Sequence, residues 1–458
     1  MFDIDKLLKE KKRIHFIGIG GSGMCPLAEI LHTWGYEISG SDNNTGDNID
    51  KLRNLGMKVI LGQKAENIEG ADIIVYTAAI LKDNPELVAA KSSDIPCFER
   101  AKLFGAMTRM FSDCIAVCGT HGKTTVTAML TQILVMADKD PSAVIGGRLP
   151  LIDSHGIAGK SDIMVCEACE YQNHYHDLSP DVSVILNVDE DHLEFFKNLD
   201  NIIESFRYFS SITSDTLIYN GDDVNTVRAT ENVDKKKITF GRNESNDYYA
   251  VNVKYNRGAF AEFDVMHDGI CISHLKLNIP GEHNIVNALA AFAAARNAGC
   301  SVEDCEKGIS AFSGAGRRFE ILGEVGGITV ADDYAHHPEE LRVMLEATMK
   351  MGYNTVWAVF QPFTYSRTSI LFDDFVRVLQ IPDKCVMTEI MGSREVNTYG
   401  ICTKDLADKI PGSVWYEGFE GVTKHIIENV KPGDLVITLG CGDIYKAAKM
   451  ILNELKNR

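Results

Sequence analysis

The sequence predicts an α/β fold with largely parallel sheets, laid out in three blocks. Three observations carry this. Apolar, β-branched segments alternate with helical patterns, a glycine-rich turn follows the first of them, and a Gly-Lys-Thr turn follows a later one. At roughly 150 residues per domain, 458 residues allow about three cores. With 24% charged and 45% hydrophobic positions, collagen, coiled coil and wholesale disorder are excluded.

The elements follow in order. The first block opens with a strand at residues 13–17, a glycine turn, a helix at 22–34 and a strand at 36–40 leading to Asp42; further βα units run to about Arg109. A strand at 114–118 opens the second block, followed by a helix to Ala137 and strands at 162–166 and 182–188. Between 237 and 279, short strands at 248–253, 259–265 and 270–273 succeed one another without helices, a meander or edge insertion. Residues 283–297 place Ile285, Ala288, Leu289 and Phe292 at helical spacing, and Gly299 ends that helix. Ser313-Gly314-Ala315-Gly316 reads as a linker. Beyond it, strands at 328–331, 355–360, 384–388 and 435–439 alternate with helices.

Forty-six basic against 64 acidic residues leave a formal charge of −18, which argues against a nucleic-acid partner bound by general basicity. Any anionic substrate must meet locally placed cations. Residues 1–13 mix Asp, Lys and Glu, and the uncharged run at 124–137 is shorter than the ~18 apolar residues a membrane span needs. We therefore expect a cytoplasmic protein without membrane insertion, monomeric or weakly dimeric. Twelve cysteines are too sparse for a disulfide scaffold; Cys114, Cys118, Cys166 and Cys385 sit in apolar runs as buried reduced thiols do.

Gly18-Ile19-Gly20-Gly21-Ser22-Gly23 fits G-x-G-x-x-G between strand and helix, with Asp42 ending the next strand. Glycines let backbone approach a diphosphate, and the acid suits ribose hydroxyls; NAD and a UDP-sugar satisfy the same physics. Gly119-Thr120-His121-Gly122-Lys123-Thr124-Thr125 has a phosphate-loop core: backbone N–H groups wrap phosphates, Lys123 neutralises the γ-phosphate and Thr124 ligates Mg²⁺. The leading glycine of the usual spacing is Val117 here. Glu167 and Asp191-His192 close strands at the same sheet edge, where hard oxygens and an imidazole suit Mg²⁺ bridging ATP to a second substrate. Cys166 and Cys169, with His174 and His176 beyond, mimic a zinc site but lack a second C-x-x-C. Asn284 and Asn287, one helical turn apart, suit a purine edge or a helix cap. Arg317-Arg318 can reach a polyphosphate or simply be solvated. Asp332-Asp333-Tyr334-Ala335-His336-His337-Pro338 and the segment from Gln361 to Thr368 each follow a strand, as site loops do.

Together these motifs resemble the ATP-dependent Mur ligases of peptidoglycan synthesis, nearly end to end, and within them the branch that adds L-alanine to UDP-N-acetylmuramate. The resemblance runs through Gly18 to Met24, the phosphate loop, Glu167 to Glu170, Asp189 to His192, Pro280 to Ala291, Gly316 to Glu320, Asp332 to Pro338 and Phe360 to Thr368. It implies an N-terminal Rossmann-like UDP-sugar domain (1–109), a central P-loop ATPase domain (110–314) and a C-terminal Rossmann-like domain (315–458). It also implies ATP and Mg²⁺ as cofactors, and ligation through an acyl phosphate. By the same resemblance Gly18, Gly20, Gly21, Ser22, Gly23 and Asp42 would meet UDP. Gly119, Thr120, Gly122, Lys123, Thr124 and Thr125 would hold ATP phosphates, with Arg318 at the γ-phosphate, Asn284 and Asn287 at adenine and Asp333 at ribose. Thr124, Glu167 and His192 would hold the metal. Tyr334, His336 and Arg367 would surround the alanine, with His336 a candidate base.

The chain departs from that family where His-Arg is usual and Phe363-Thr364 stands, at Tyr171-Gln172 and His174-Tyr175-His176, and at Gly62-Gln63. These bear on amino-acid selectivity, since one methyl discriminates by only about 1–3 kcal/mol, and glycine or serine could be accepted. A murein-peptide recycling ligase with a roomier pocket and a non-catalytic UDP-muramate sensor are the competing readings. A NAD oxidoreductase leaves the phosphate loop unexplained.

Overall fold

The computed structural model describes residues 2–393 and 395–457. Its helices flank three sheets. The first has five parallel strands in the order Lys58–Leu61, Glu37–Asp42, Arg13–Ile17, Ile73–Tyr76, Cys97–Glu99. Strand order reverses beside Arg13–Ile17, so the glycine turn after that strand opens at the crevice where α/β sheets bind ligands. Ile14, Phe16, Leu27 and Leu31 are wholly buried behind it.

The second sheet has ten strands: Ile270–Pro280, Phe260–His267, Tyr248–Asn256, Lys236–Gly241, Thr216–Asn220, Val182–Ile185, Asp113–Cys118, Ile163–Glu167, Ser142–Leu149 and Ser154–Ile157. From Lys236–Gly241 to Ser142–Leu149 neighbours run parallel. Register pairs Val117 with Glu167 and Cys118 with Ile185, so the phosphate loop lies between two strand ends at one edge. The helix-free stretch is a row of three neighbouring strands at the opposite margin of the sheet.

The third sheet runs Glu320–Val325, Ile328–Asp333, Leu435–Leu439, Val356–Phe360, Lys384–Thr388, Val414–Tyr416, parallel except at its antiparallel first strand. Asp333 and Phe360 both register with Leu439, which brings the loops after them to one edge.

The chain divides into two compact units: Met1–Val251 with Asp264–His274 and Val286–Ile309, and Asn252–Phe263 with Leu275–Ile285 and Ser310–Arg458. The break expected near Arg109 separates sheets but not compact units. Lys102 pairs with Asp177, Arg109 pairs with Asp5 and donates to Asp177 O, and a Cβ on Gly105 would collide with Asp177. The helix read from Ser22 begins at Cys25, because Gly21 to Met24 form the turn that leads into it. All twelve cysteines are free, and Cys114, Cys118, Cys166 and Cys385 are buried. No described helix is long and apolar enough to cross a membrane.

Candidate active site

The phosphate loop is held open from beneath. Asn187 grips His121 from both sides: its Oδ1 accepts from the His121 N–H at 2.8 Å, and its Nδ2 donates to the His121 carbonyl at 3.0 Å. Thr120 N–H donates to Asn187 O, and Thr120 Oγ1 accepts from Asp189 N–H. Gly119 and Gly122 have φ of 141° and 88°, and a Cβ on Gly122 would lie 2.7 Å from Asn287 Oδ1. Asn287 therefore borders the loop. Asn284 Nδ2 donates to Pro280 O at 2.7 Å, back into the segment that precedes its helix.

Helix Lys123–Met136 starts at the loop. Lys123 Nζ donates to Gly119 O (2.6 Å), Thr120 O (3.1 Å) and Glu170 Oε1 (3.0 Å). Burial opposes its charge, yet Glu170 and Glu167 outweigh that and raise its pKa, so it is a fixed cation. Thr124 Oγ1 donates to Glu167 Oε2 at 2.8 Å, and Gly146 N–H donates to the same oxygen at 3.0 Å. Thr125 lies in the same first helical turn, half-buried.

A Cβ on Gly146 would collide with Glu167 Oε2 and lie 2.8 Å from Thr124 Oγ1, so glycine lets the backbone pack against this pair. A hydroxyl and a carboxylate side by side fit Mg²⁺, which keeps water and phosphate as its other ligands. His192, after the neighbouring strand and in a left-handed backbone conformation, sets its ring 4.7 Å from that of Tyr171 at an interplanar angle of 54°. The apparent zinc cluster does not assemble: among the described residues no three His, Cys, Asp or Glu side chains are placed to share a metal. Burial pushes the Cys169 thiol up to about 11.

At the first sheet Gly18 (φ 85°) and Ile19 donate N–H to Ser41 O, and Gly20 N–H donates to Asp42 Oδ2 at 3.0 Å. Asp42 Oδ1 accepts from Asn44 N–H, so this acid first shapes the turn. Gly21, Ser22 and Gly23 line a cavity of about 390 Å³ with Thr77, Arg100 and Glu167. One carboxylate, Glu167, thus touches phosphate-loop Thr124 and walls the glycine-turn cavity.

In the second unit Asp333 and His336 are both held by neighbouring groups. Asp333 is 2% exposed, and its oxygens accept from Phe319 N–H (2.7 Å) and Ala335 N–H (2.8 Å). Burial lifts its carboxyl to about 6 against the pull of Arg318. It pins the Arg318-Phe319 segment. Burial alone would lower the pKa of His336, but Glu340, 3.2 Å from Nδ1, and a hydrogen bond with Cys441 raise it to about 10.

Arg317 donates to Asp332, Gly442 O and Gly440 O and is structural. Arg318 lies over the Tyr334 ring at 5.2 Å. Thr364 caps the helix Tyr365–Ile370 that carries Arg367. Sequence reasoning missed Asn187, Gly146 and Arg100, and quoted Glu170 without pairing it to Lys123. Only the strand-end position of Asn187 could have flagged it.

Comparison with known proteins adds the family. Residues 13–112 match the Mur ligase family catalytic domain, 117–295 the Mur ligase middle domain and 317–442 the Mur ligase glutamate ligase domain. The UDP-N-acetylmuramate–L-alanine ligase of Caldanaerobacter subterraneus subsp. tengcongensis is 42% identical over 98% of this chain and 99% of its own. Its namesake from Agathobacter rectalis is 42% identical over 99% and 100%. A solved UDP-N-acetylmuramate-alanine ligase from Thermotoga maritima superposes with a TM-score of 0.84 at 28% identity, covering 97% of this chain and 99% of that one. Matched in all three of its parts, the chain belongs to the Mur ligase family.

Proposed function

We propose that this Mur ligase, an ATP-dependent amide-forming enzyme, joins L-alanine to the muramoyl carboxylate of UDP-N-acetylmuramate in peptidoglycan precursor synthesis. Relatives of that name, 42% identical along nearly the whole chain, support the reading. The observation that carries it is Glu167, shared between the phosphate loop and the glycine-turn cavity. A carboxylate lying in that cavity is within reach of activation by a nucleotide on the loop.

The substrate carboxylate attacks the γ-phosphorus of ATP, the bond to the bridging oxygen breaks and ADP leaves, giving an acyl phosphate. The alanine nitrogen then attacks the carbonyl carbon and sheds a proton as inorganic phosphate departs with the bonding pair. Lys123 offsets charge on the transferring group. Gly119, Thr120, Gly122, Thr124 and Thr125 surround the phosphates, Arg318 is assigned to the γ-phosphate and Asn284 and Asn287 to adenine. Thr124 and Glu167, with His192, would hold Mg²⁺, which supplies Lewis-acid polarisation of the phosphoryl group.

Gly18, Gly20, Gly21, Ser22, Gly23 and Asp42 are assigned to UDP. Tyr334, Arg367 and the cationic His336 are assigned to the amino acid, whose carboxylate a cation suits. We place domain boundaries near 109–110 and 314–315, and the activity in the cytoplasm, where its small-molecule substrates are water-soluble.

The test is phosphate release by the purified protein with ATP, Mg²⁺ and UDP-N-acetylmuramate, offered L-alanine, glycine, L-serine or a muropeptide-like tripeptide. L-Alanine should give the highest kcat/KM. Release that depends on the tripeptide alone would make the protein a recycling ligase, and no release with any acceptor would leave the sensor reading.

A further inference from the structure

Five of the twelve cysteines are not buried: Cys97, Cys169, Cys271, Cys402 and Cys441. Burial raises the pKa of Cys97 and Cys169, which keeps them as thiols. Cys402 donates to the Asp405 carboxylate and Cys271 to Ser273 O. Among the described residues Cys441 is the one of these five hydrogen-bonded to an imidazole, that of His336.

The contact is built from several elements of the second unit. Cys441 stands just beyond strand Leu435–Leu439, at the edge where Asp333 and Phe360 register with Leu439. Arg317 grips the turn on both sides, donating to Gly440 O at 2.5 Å and to Gly442 O at 2.8 Å, and Gly440 N–H donates to Asp333 O at 3.1 Å. His336 is fixed in turn, its Nδ1 3.0 Å from Tyr334 O and 3.2 Å from Glu340 Oε2. Thiol, imidazole and carboxylate thus form one chain of contacts, and its sulfur end is partly exposed.

The same turn holds an acceptor to spare. Gln361 is 5% exposed; its Nε2 donates to Asp443 Oδ1 at 3.2 Å, and among the described residues nothing donates to its Oε1. A Cβ on Gly442 would lie 2.6 Å from that oxygen and 2.7 Å from Met391 Sδ, so the acceptor is aimed into the turn beside Cys441.

The thiolate is the nucleophilic form of cysteine, and sites that use it set a cation beside a partly exposed sulfur. His336 is that cation here. A hydroperoxide is a matching electrophile. The thiol proton goes to solvent, the sulfur lone pair attacks one peroxide oxygen, and the O–O bond breaks; the other oxygen leaves as water with a proton from His336. Sulfur is oxidised by two electrons to the sulfenic acid as the peroxide is reduced. The new hydroxyl is a donor of the kind Gln361 Oε1 lacks.

We infer that Cys441, held against His336, is a site of reversible oxidation by hydroperoxides, and that its oxidation blocks the acceptor step. The second half rests on the proposed reading that Tyr334, His336 and Arg367 meet the amino acid.

The test treats the purified protein, Cys441→Ala and His336→Gln with hydrogen peroxide. One portion is trapped with dimedone and mapped by mass spectrometry; another is assayed for phosphate release with L-alanine. Dimedone should reach Cys441 about tenfold faster than any other cysteine, and His336→Gln should slow that labelling roughly tenfold. Should that variant fail to fold, Glu340→Gln, which weakens the same cation, decides by the same comparison. Phosphate release by the wild type should fall with the extent of oxidation and return with dithiothreitol, whereas Cys441→Ala should keep its own untreated rate.

First labelling at Cys271 or Cys402, or a rate indifferent to both variants of the cation, overturns the inference. Activity lost beyond rescue by dithiothreitol would indicate sulfoxide at Met391 and overturn it as well. Labelling of Cys441 with phosphate release untouched overturns its second half. A protein that releases no phosphate with any acceptor before treatment overturns the functional reading, while the labelling map still decides the assignment of Cys441.

Discussion

Lys123 and Glu170 form a pair whose side chains are only 14% and 4% exposed, and the two halves contribute to different quantities. Removing the lysine strips the phosphate loop of its cation and strands a buried carboxylate. Lys123→Ala should therefore slow phosphate release by on the order of a hundredfold or more and lower the unfolding free energy by about 3 kcal/mol. Adding Glu170→Gln should return most of the stability in urea denaturation and none of the turnover; recovered turnover would show that the lysine serves only its partner. His336 gives a second residue-scale prediction. Its pKa is raised from 6.5 to about 10, mainly by Glu340 acting against burial. A raised value means a stabilising contribution fully present below pH 6.5 and lost as pH climbs through about 10. The urea midpoint of the wild type should fall over that window, and Glu340→Gln should flatten the slope. An unchanged slope would mean that other groups set it.

The turn from Asp113–Cys118 into Lys123–Met136 depends on one backbone conformation. Gly122 has φ of 88°, where an L side chain costs about 1–2 kcal/mol, and a Cβ there meets Asn287 Oδ1 at 2.7 Å. Gly122→Ala should weaken ATP binding in calorimetric titration at least tenfold while UDP binding stays within a factor of two; equal loss of both would mean the turn organises the whole unit. This turn was legible in the sequence because glycines, lysine and threonine stand between an apolar run and a helical pattern. For similar reasons Arg13–Ile17, His283–Asn297, Lys384–Thr388 and Leu435–Leu439 fall at the bounds read from pattern alone. Cys97–Glu99 has three residues, too few to show a period, and Gly146 and Gly147 interrupt Ser142–Leu149, so neither strand was legible. The missed site residues share a cause. Glu170 meets Lys123 across 47 positions and Arg100 meets Gly23 across the first sheet's crossovers, juxtapositions that only the folded register creates.

At the scale of the molecule, the division into two compact units separates what ligands can stabilise. The glycine turn, Arg100, the phosphate loop and Glu167 all belong to the first unit, and the cavity that takes the proposed UDP-sugar is lined entirely from it. Asp333, His336, Arg367 and their loops belong to the second. A ligand that binds only the native form of one unit stabilises it by about 2.7 kcal/mol at a hundredfold excess over its Kd. For a unit of this size that raises the unfolding temperature by on the order of 5 °C. Scanning calorimetry should accordingly show two transitions, with UDP moving one of them upward and leaving the other in place. Glu340→Gln should alter the transition that UDP does not move. A single transition that shifts as a whole would show that the units unfold together, and the ligand's effect would then have to be assigned to the entire chain.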